Sequence, residues 1–362
     1  MKKLAGSWRN NHCLALDTEF ERRTTFYAKL ALVQIYDGET IYLIDPLQLD
    51  CPVELKEIIE NPQIIKILHS AKEDLEVLYT SWNCQLAGLF DTQVAYSFIN
   101  NELSIGYAKL VEKLTSHFVS KQQTNSDWIK RPLSNEQLSY AAKDVLYLFE
   151  IFDLLTKQLQ DQPYHRFFQA ECEEYCRDAV LRVETPADYR EAKDVWQLNE
   201  TDLGLFKRLF DWREKKAKSD NRTKNHIIRD QGLVLLTTIK ADTTSQLKSI
   251  QDIHPRSIRL YAKDWFDIIA NWKSSKPQSL VTVINPRDVK QLKVLSNQLE
   301  SVVRSVALAN HISHTLLLSK RLVRKLAFSI LTNNPRPSQW FGWRKKLLDQ
   351  PIQEIAKSFI NQ

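Results

Sequence analysis

Strand-forming sequence is confined to the first third of this chain, and that asymmetry limits the folds open to it more than any other feature. Residues 13–20 (CLALDTEF) begin as an apolar run and end in carboxylates, the pattern of a strand buried along most of its length. Residues 30–36 (LALVQIY) and 40–44 (TIYLI) follow as strands joined through Asp37-Gly38, a hairpin signal. Residues 64–68 (IIKIL) read as a further strand between helical patterns over 53–60 and 71–82. Helical periodicity then takes over, with one long helix predicted from Ser134 to about Leu159 and a capping box formed by Ser134 and Gln137 at its start. Antiparallel strands followed by alternating strand and helix make an α/β layered domain with a mixed sheet. Beyond residue 165 strand signals nearly vanish. Two all-α blocks remain, about 198–275 and 285–362, with 273–279 (KSSKPQS) between them as a linker.

The charge distribution follows the same division. Residues 198–362 carry 29 Lys and Arg against 14 Asp and Glu, a net of +15; residues 1–197 carry 21 against 30, a net of −9. An acidic front suits cation binding and a basic back suits a polyanion. No stretch approaches the roughly 20 apolar residues of a membrane helix, and no apolar segment follows the basic N-terminus as a secretory signal requires. The expected location is the cytoplasm. The five cysteines are scattered, and Cys172 and Cys176, four apart, have no further ligands nearby for a zinc site. They read as free thiols.

Three short constellations carry chemistry. Asp17 and Glu19, two apart on a strand, project from one face near its C-terminal end. Two carboxylates beside an apolar strand are costly unless a cation neutralises them, and oxygen-preferring divalent ions do so. His69-Ser70-Ala71-Lys72-Glu73-Asp74-Leu75-Glu76 opens a helix directly after the IIKIL strand, with Asp74, Glu73 and Glu76 as rival ligands. Tyr140 and Asp144 share a helix face at i and i+4.

Together these three resemble the DEDDy branch of the DEDD exonucleases, the ribonuclease D family in particular. The matching residues are Asp17 and Glu19 in DTEF, Asp74 in HSAKEDLEVL, and Tyr140 with Asp144 in YAAKD. LVQIY, YLIDP, FDTQVA, GYAKLVE and DWIKRPL also look like that family. Residues 206–213 (FKRLFDWR) and the lysines after them resemble the start of an HRDC domain, the helical module of RecQ helicases and ribonuclease D. The order expected from the resemblance is an RNase H-like exonuclease domain at 1–190, an HRDC-like domain at 198–275 and a second, divergent one at 285–362. Lys143 inside YAAKD, and the absence of a glycine in Thr115-Ser116-His117-Phe118, depart from the family pattern without removing a catalytic group.

The resemblance implies two divalent ions, Mg²⁺ or Mn²⁺, held by Asp17, Glu19, Asp74 and Asp144, with Tyr140 orienting the attacking water. It implies release of nucleoside 5′-monophosphates from RNA with a free 3′ end, tRNA precursors being the expected substrates, by a monomer. Thr18 is read as contacting the terminal nucleotide, Phe20 as either a base-stacking group or core, and His69 as structural or supporting. In the basic half, Lys207, Arg208, Trp212 and Arg213 are read as RNA contacts within a dense cationic run. The competing readings are a DNA 3′→5′ exonuclease and an inactive RNA-binding adaptor. Retention of all five catalytic-type residues argues against the adaptor, and the lack of a polymerase or helicase region argues against the DNA enzyme.

Overall fold

In the computed structural model of the protein, residues 2–100, 102–119, 126–275, 280, 283–332, 334–337, 340 and 342–360 are described. Residues 276–279 of the expected linker lie outside them. The chain divides into two compact units, one made of residues 1–21, 28–184 and 290–362, the other of 22–27 and 185–289.

The first unit begins with α1 (Lys2–Trp8), β1 (Cys13–Glu21), β2 (Lys29–Tyr36), β3 (Ile41–Ile44), α2 (Val53–Glu60), β4 (Ile65–Leu68), α3 (Lys72–Trp82) and β5 (Leu89–Asp91). It continues through α4 (Thr92–Asn100), α5 (Tyr107–Thr115), α6 (Asn135–Leu146), α7 (Leu148–Leu159) and α8 (His165–Glu184). The sheet order is β3-β2-β1-β4-β5. β1 pairs antiparallel with β2 and parallel with β4, so the expected mixed sheet is present.

Alternation along the strands assigns the two faces. Leu14 and Leu16 of β1 and Val33 and Ile35 of β2 go to the larger core, where they meet Leu55 and Ile58 of α2 and Leu75 and Leu78 of α3. On the other face Leu32 packs with Trp128 and with Ala141 of α6. Between them a bulge leaves Ala31 without a β1 partner, since Glu19 pairs with Leu32 and Phe20 with Leu30. The carbonyl of Ala31 is taken by Arg131 Nη2 at 2.7 Å, and the same guanidinium grips Asp45 through two bonds of 2.6 and 2.9 Å. That clamp joins YLIDP to DWIKRPL and aims the chain into α6, whose start carries the Ser134–Gln137 capping box.

The long helix predicted from Ser134 to about Leu159 is interrupted at Tyr147, which stands at φ −95°, ψ 0° between α6 and α7. In an unbroken helix the Tyr147 N–H would bond to the carbonyl of Lys143. Instead the Tyr107 hydroxyl enters that gap, accepting from Tyr147 N at 3.4 Å and donating to Lys143 O at 2.9 Å. A side chain inserted into the hydrogen-bond ladder kinks a helix. The break lies three residues after Asp144.

The second unit is helical: α9 (Glu200–Ser219), α10 (Lys224–Ile227), α11 (Asp230–Ile239), α12 (Thr244–Ser249) and α13 (Pro255–Lys273). Its core gathers Leu205, Phe206, Leu209, Leu233, Leu236, Tyr261 and Trp265 among others. The loop residues Phe26 and Tyr27 join it through their backbone N–H groups, both bonded to Asn221 Oδ1 at 3.1 Å.

The first unit closes with α14 (Leu292–Ala309), α15 (His314–Leu317), α16 (Lys320–Thr332) and α17 (Gly342–Ile360). The start of α17 docks on α8, where Arg344 pairs with Glu171 and Glu174.

Candidate active site

β1 keeps parallel company with β4 only from Cys13 to Ala15, so its last residues run on past the end of β4. There Asp17 and Glu19 face the side covered by α6, and Asp144 descends onto them from that helix. One carboxylate oxygen from each of the three falls within 4.8 Å of the others. Among the described residues this is the one group of three or more carboxylate, imidazole or thiolate side chains close enough to share an ion. Tyr140, one turn before Asp144, hydrogen-bonds to its carboxylate.

Asp74 comes from the first turn of α3 and is buried, while Glu73 beside it is exposed. Of the three rivals in that stretch, Asp74 is the one whose charge acts on both Asp17 and Glu19. The Thr18 hydroxyl donates to Asp74 Oδ1 in a short bond. The Thr18 hydroxyl, one of the two groups (with its backbone) through which Thr18 is read as contacting the nucleotide, is thus engaged in holding Asp74.

Burial is the main influence on all four carboxyls and raises each: Glu19 to about 8, Asp74 and Asp144 to about 7, and Asp17 well above the usual carboxylate range. Mutual repulsion adds to the rise at Asp17 and Glu19. The Tyr140 and Thr18 hydroxyls pull Asp144 and Asp74 back down. A set of hard oxygen donors that repel one another and are cut off from water is matched to a divalent cation.

Gln34 supports the same fit. It lies directly opposite Asp17 across the β1–β2 ladder, is fully buried, and neither amide atom of its side chain meets a hydrogen-bond partner among the described residues. A buried amide unsatisfied by protein groups beside a carboxylate cluster fits a site completed by an ion and its waters. In the sequence Gln34 is only the polar residue of LVQIY; its cross-strand register is the signal that places it here.

These shifts set a pH dependence. Unfolded carboxyls titrate near 4, whereas Glu19, Asp74 and Asp144 hold protons to about 7 or 8 in the fold. Between about pH 4 and 8 the native state therefore binds more protons than the unfolded chain, and stability falls as pH rises. In chelator the melting temperature is expected to drop from about pH 5 to about pH 8. Added Mg²⁺ should restore it more at the higher pH, because the ligand is the deprotonated carboxylate. Scanning calorimetry at both values decides the point; equal protection by Mg²⁺ at the two would contradict it.

The remaining expectations fare unevenly. Phe20 is half-buried and packs on the larger core. His69 bonds to Thr92 Oγ1 at 2.9 Å and Ile105 O at 3.1 Å, the supporting position read for it. In the second unit Lys207 is paired with Asp211, and Arg208 with Ser275 at 3.0 Å. Trp212 donates to Asp264 at 3.2 Å and packs on Tyr261 and Trp265. Arg213 corrects the sequence reading: it is 2% exposed and bonds to Ile228 O and Asp230, so it braces the helical core and does not face a ligand. The helical spacing that interleaves cations with aromatics does not reveal which of them turn inward.

The sheet, its covering helices and the converging carboxylates have the donor set of a divalent-metal nuclease. A 3′-5′ exonuclease family matches residues 1–160, and the HRDC domain family matches residues 202–269. Similarity extends further along the chain. A ribonuclease D of Pseudomonas paraeruginosa is 31% identical over 364 aligned residues, covering 97% of this chain and 94% of that protein. One from Shewanella sp. is 35% identical, covering 78% and 73%. The crystal structure of Escherichia coli RNase D, described as an exoribonuclease involved in structured RNA processing, superposes with a TM-score of 0.87 at 28% identity. It covers 99% of this chain and 96% of that one. The chain belongs to the ribonuclease D family, and it is a 3′→5′ exoribonuclease.

Proposed function

We propose that this exoribonuclease trims the 3′ ends of structured RNAs, tRNA precursors foremost, using two divalent ions, Mg²⁺ or Mn²⁺, held by Asp17, Glu19, Asp74 and Asp144. The observation that carries the reading is the convergence of Asp17, Glu19 and Asp144 within 4.8 Å, with the Tyr140 hydroxyl bonded to Asp144. Such ions supply an activated water near neutral pH and stabilise the leaving 3′ oxygen. Asp17, Glu19 and Asp144 would hold them on the α6 side, and Asp74, steadied by Thr18, would do so from α3. Tyr140 orients the attacking water through its hydroxyl; a phenol with an ordinary acidity near 10 is a poor general base at neutral pH. The products are nucleoside 5′-monophosphates.

The three-part division into 1–190, 198–275 and 285–362 is kept as part of this proposal. The two helical blocks follow one local plan. A long helix (α9, α14) leads to a left-handed residue, Asn221 or His311. Then comes a one-turn helix opened by Thr223 or Ser313 and closed by an extended residue, Ile228 or Leu318. RNA contact by the second unit is assigned to a cleft of about 780 Å³ lined by Arg222, Arg229 and Arg256 together with Asp220 and Asp252. Those three guanidinium groups make no ion pair among the described residues, whereas Lys207, Arg213, Lys216 and Lys224 all do. The protein is taken to act as a monomer in the cytoplasm. Among the described residues no helix is long and apolar enough to cross a membrane.

A 3′-extended tRNA labelled at its 5′ end, incubated with Mg²⁺, should shorten from the 3′ end in single-nucleotide steps and stay intact in chelator. Matched single-stranded DNA should be a poor substrate. RNA bound but uncut in Mg²⁺ and Mn²⁺ would overturn the catalytic assignment, and faster cutting of the DNA would overturn the substrate.

A further inference from the structure

Of the four carboxylates in the site, Asp74 is the one carried by α3. It sits in the first turn of α3, and the residue at the head of that helix, Ala71, has no side chain able to cap it. The preceding residue, Ser70, is in the left-handed region at φ +61°, which a serine adopts only when neighbours hold it there. The direction in which α3 leaves the sheet, and with it the place of Asp74, is therefore set from elsewhere.

The group that sets it is Asp91, the last residue of β5, which is fully buried. Its carboxylate accepts four backbone N–H bonds from two different helix starts. Oδ1 takes Ser70 N at 3.1 Å, and Oδ2 takes Ala71 N at 2.8 Å. Oδ1 also takes Gln93 N at 2.9 Å and Val94 N at 3.2 Å, the ordinary cap of α4. Only an ionised carboxylate offers enough acceptor sites for all four without presenting a donor to any of them. The neighbouring pairs fasten the same corner. His69 is tied to Thr92 Oγ1 and Ile105 O, and Thr92 Oγ1 donates to Leu68 O at 3.1 Å.

We propose that Asp91 is a positioning residue of the exonuclease site: by binding Ser70 and Ala71 while capping α4, it fixes the left-handed turn that brings Asp74 into register with Asp17, Glu19 and Asp144. This rests on the metal-binding reading of those four carboxylates. The cap of α4 alone needs only a short polar side chain; the reach to α3 needs the full carboxylate. The two roles are thus separable by substitution.

In Asp91→Ser the shorter hydroxyl still caps α4 but cannot span to Ser70 and Ala71. In Asp91→Asn the side-chain volume is kept, while an amide N–H₂ is set against Ala71 N–H. Ser97→Ala serves as control, removing a buried hydroxyl of α4 that among the described residues bonds only to Val94 O, at 2.7 Å. Three quantities are measured on each full-length protein: Mn²⁺ binding in the absence of RNA by electron paramagnetic resonance, kcat and KM for RNA, and the melting temperature. Asp91→Ser is expected to weaken Mn²⁺ binding and to lower kcat by about tenfold or more each, with KM for RNA changed by less than about twofold. Asp91→Asn should move in the same direction, and Ser97→Ala should leave Mn²⁺ binding and kcat unchanged. The inference is overturned if folded Asp91→Ser binds Mn²⁺ and turns over like the parent protein, or if Ser97→Ala at equal loss of melting temperature suffers equally. Should Asp91→Ser not fold, Asp91→Asn decides on the same terms. A parent protein that takes up no Mn²⁺ overturns the metal reading and this inference with it; one that does, alongside unchanged Asp91 variants, overturns this inference alone.

Discussion

Asp144→Asn is expected to lower the rate of RNA trimming by about 10³-fold or more, the scale on which losing one preorganised charge-stabilising group is felt, while raising the melting temperature of the metal-free protein. The two effects have one cause. Asp144 is held at the meeting point of Asp17 and Glu19, with its own carboxyl pushed up to about 7 by burial. Both neighbours feel its charge, which adds to their own rise. An amide in its place removes a desolvated carboxylate and relieves the two that remain, so near pH 8 in chelator the melting temperature should climb by a few degrees. With metal present the same change deletes a charged ligand, and the chemistry suffers. Single-turnover decay of a 5′-labelled RNA and calorimetry in chelator measure the pair. A variant both slower and less stable would identify Asp144 as structural support and not as a ligand.

Arg344→Ala is expected to be the most destabilising single change outside the site, costing about 3–5 kcal/mol because it strands buried carboxylates. The Arg344 side chain is 14% exposed, and those of Glu171 and Glu174 are 6% and 9% exposed. The guanidinium meets Glu171 through both of its oxygens, one at 2.8 Å, and reaches Glu174 at 3.3 Å. Trp343 completes the arrangement, its indole N–H donating to Glu171 at 2.9 Å and its backbone N–H to Glu174 at 3.1 Å. The approach is so close that a Cβ on Gly342, which stands at φ +60°, would fall 1.3 Å from Glu174 Oε1. Without Arg344, α8 keeps two carboxylates in an apolar contact with α17. The melting temperature should fall by on the order of 10 °C, with kcat of the folded protein little changed. Arg344→Met combined with Glu171→Gln and Glu174→Gln should recover most of the loss, since the neutral amides still accept from Trp343. If the triple variant melts as low as Arg344→Ala, stranded charge is not the cause of the loss.

The mixed sheet, the common face of Asp17 and Glu19, the shared face of Tyr140 and Asp144, and the Ser134–Gln137 cap were all legible in the chain itself. Each depends on spacings of two to four residues, and backbone geometry converts such spacings directly into direction. Nothing of that kind distinguishes Asp74 from Glu73 and Glu76. The choice among them is made by Thr18, 56 residues away, and by the burial of one face of α3 against the sheet. The break at Tyr147 was equally hidden, because the hydroxyl that opens the ladder belongs to Tyr107, 40 residues upstream.

The basic half shows the same boundary. Its excess of positive charge is a property of composition, and composition suits that half to a polyanion. Which cations are free to do so depends on partners brought up by folding: Arg213 finds Asp230 and turns inward, while Arg229 and Arg256 stay exposed at the cleft. The sequence by itself thus determined the kind of chemistry, through carboxylates placed by local periodicity. Only the tertiary structure decided which carboxylate of α3 is buried near the cluster, where α6 stops, and which buried groups, Gln34 and Asp91 among them, stand behind it. Those outcomes rest on burial and on hydrogen bonds between distant segments, and neither exists until the chain has closed on itself.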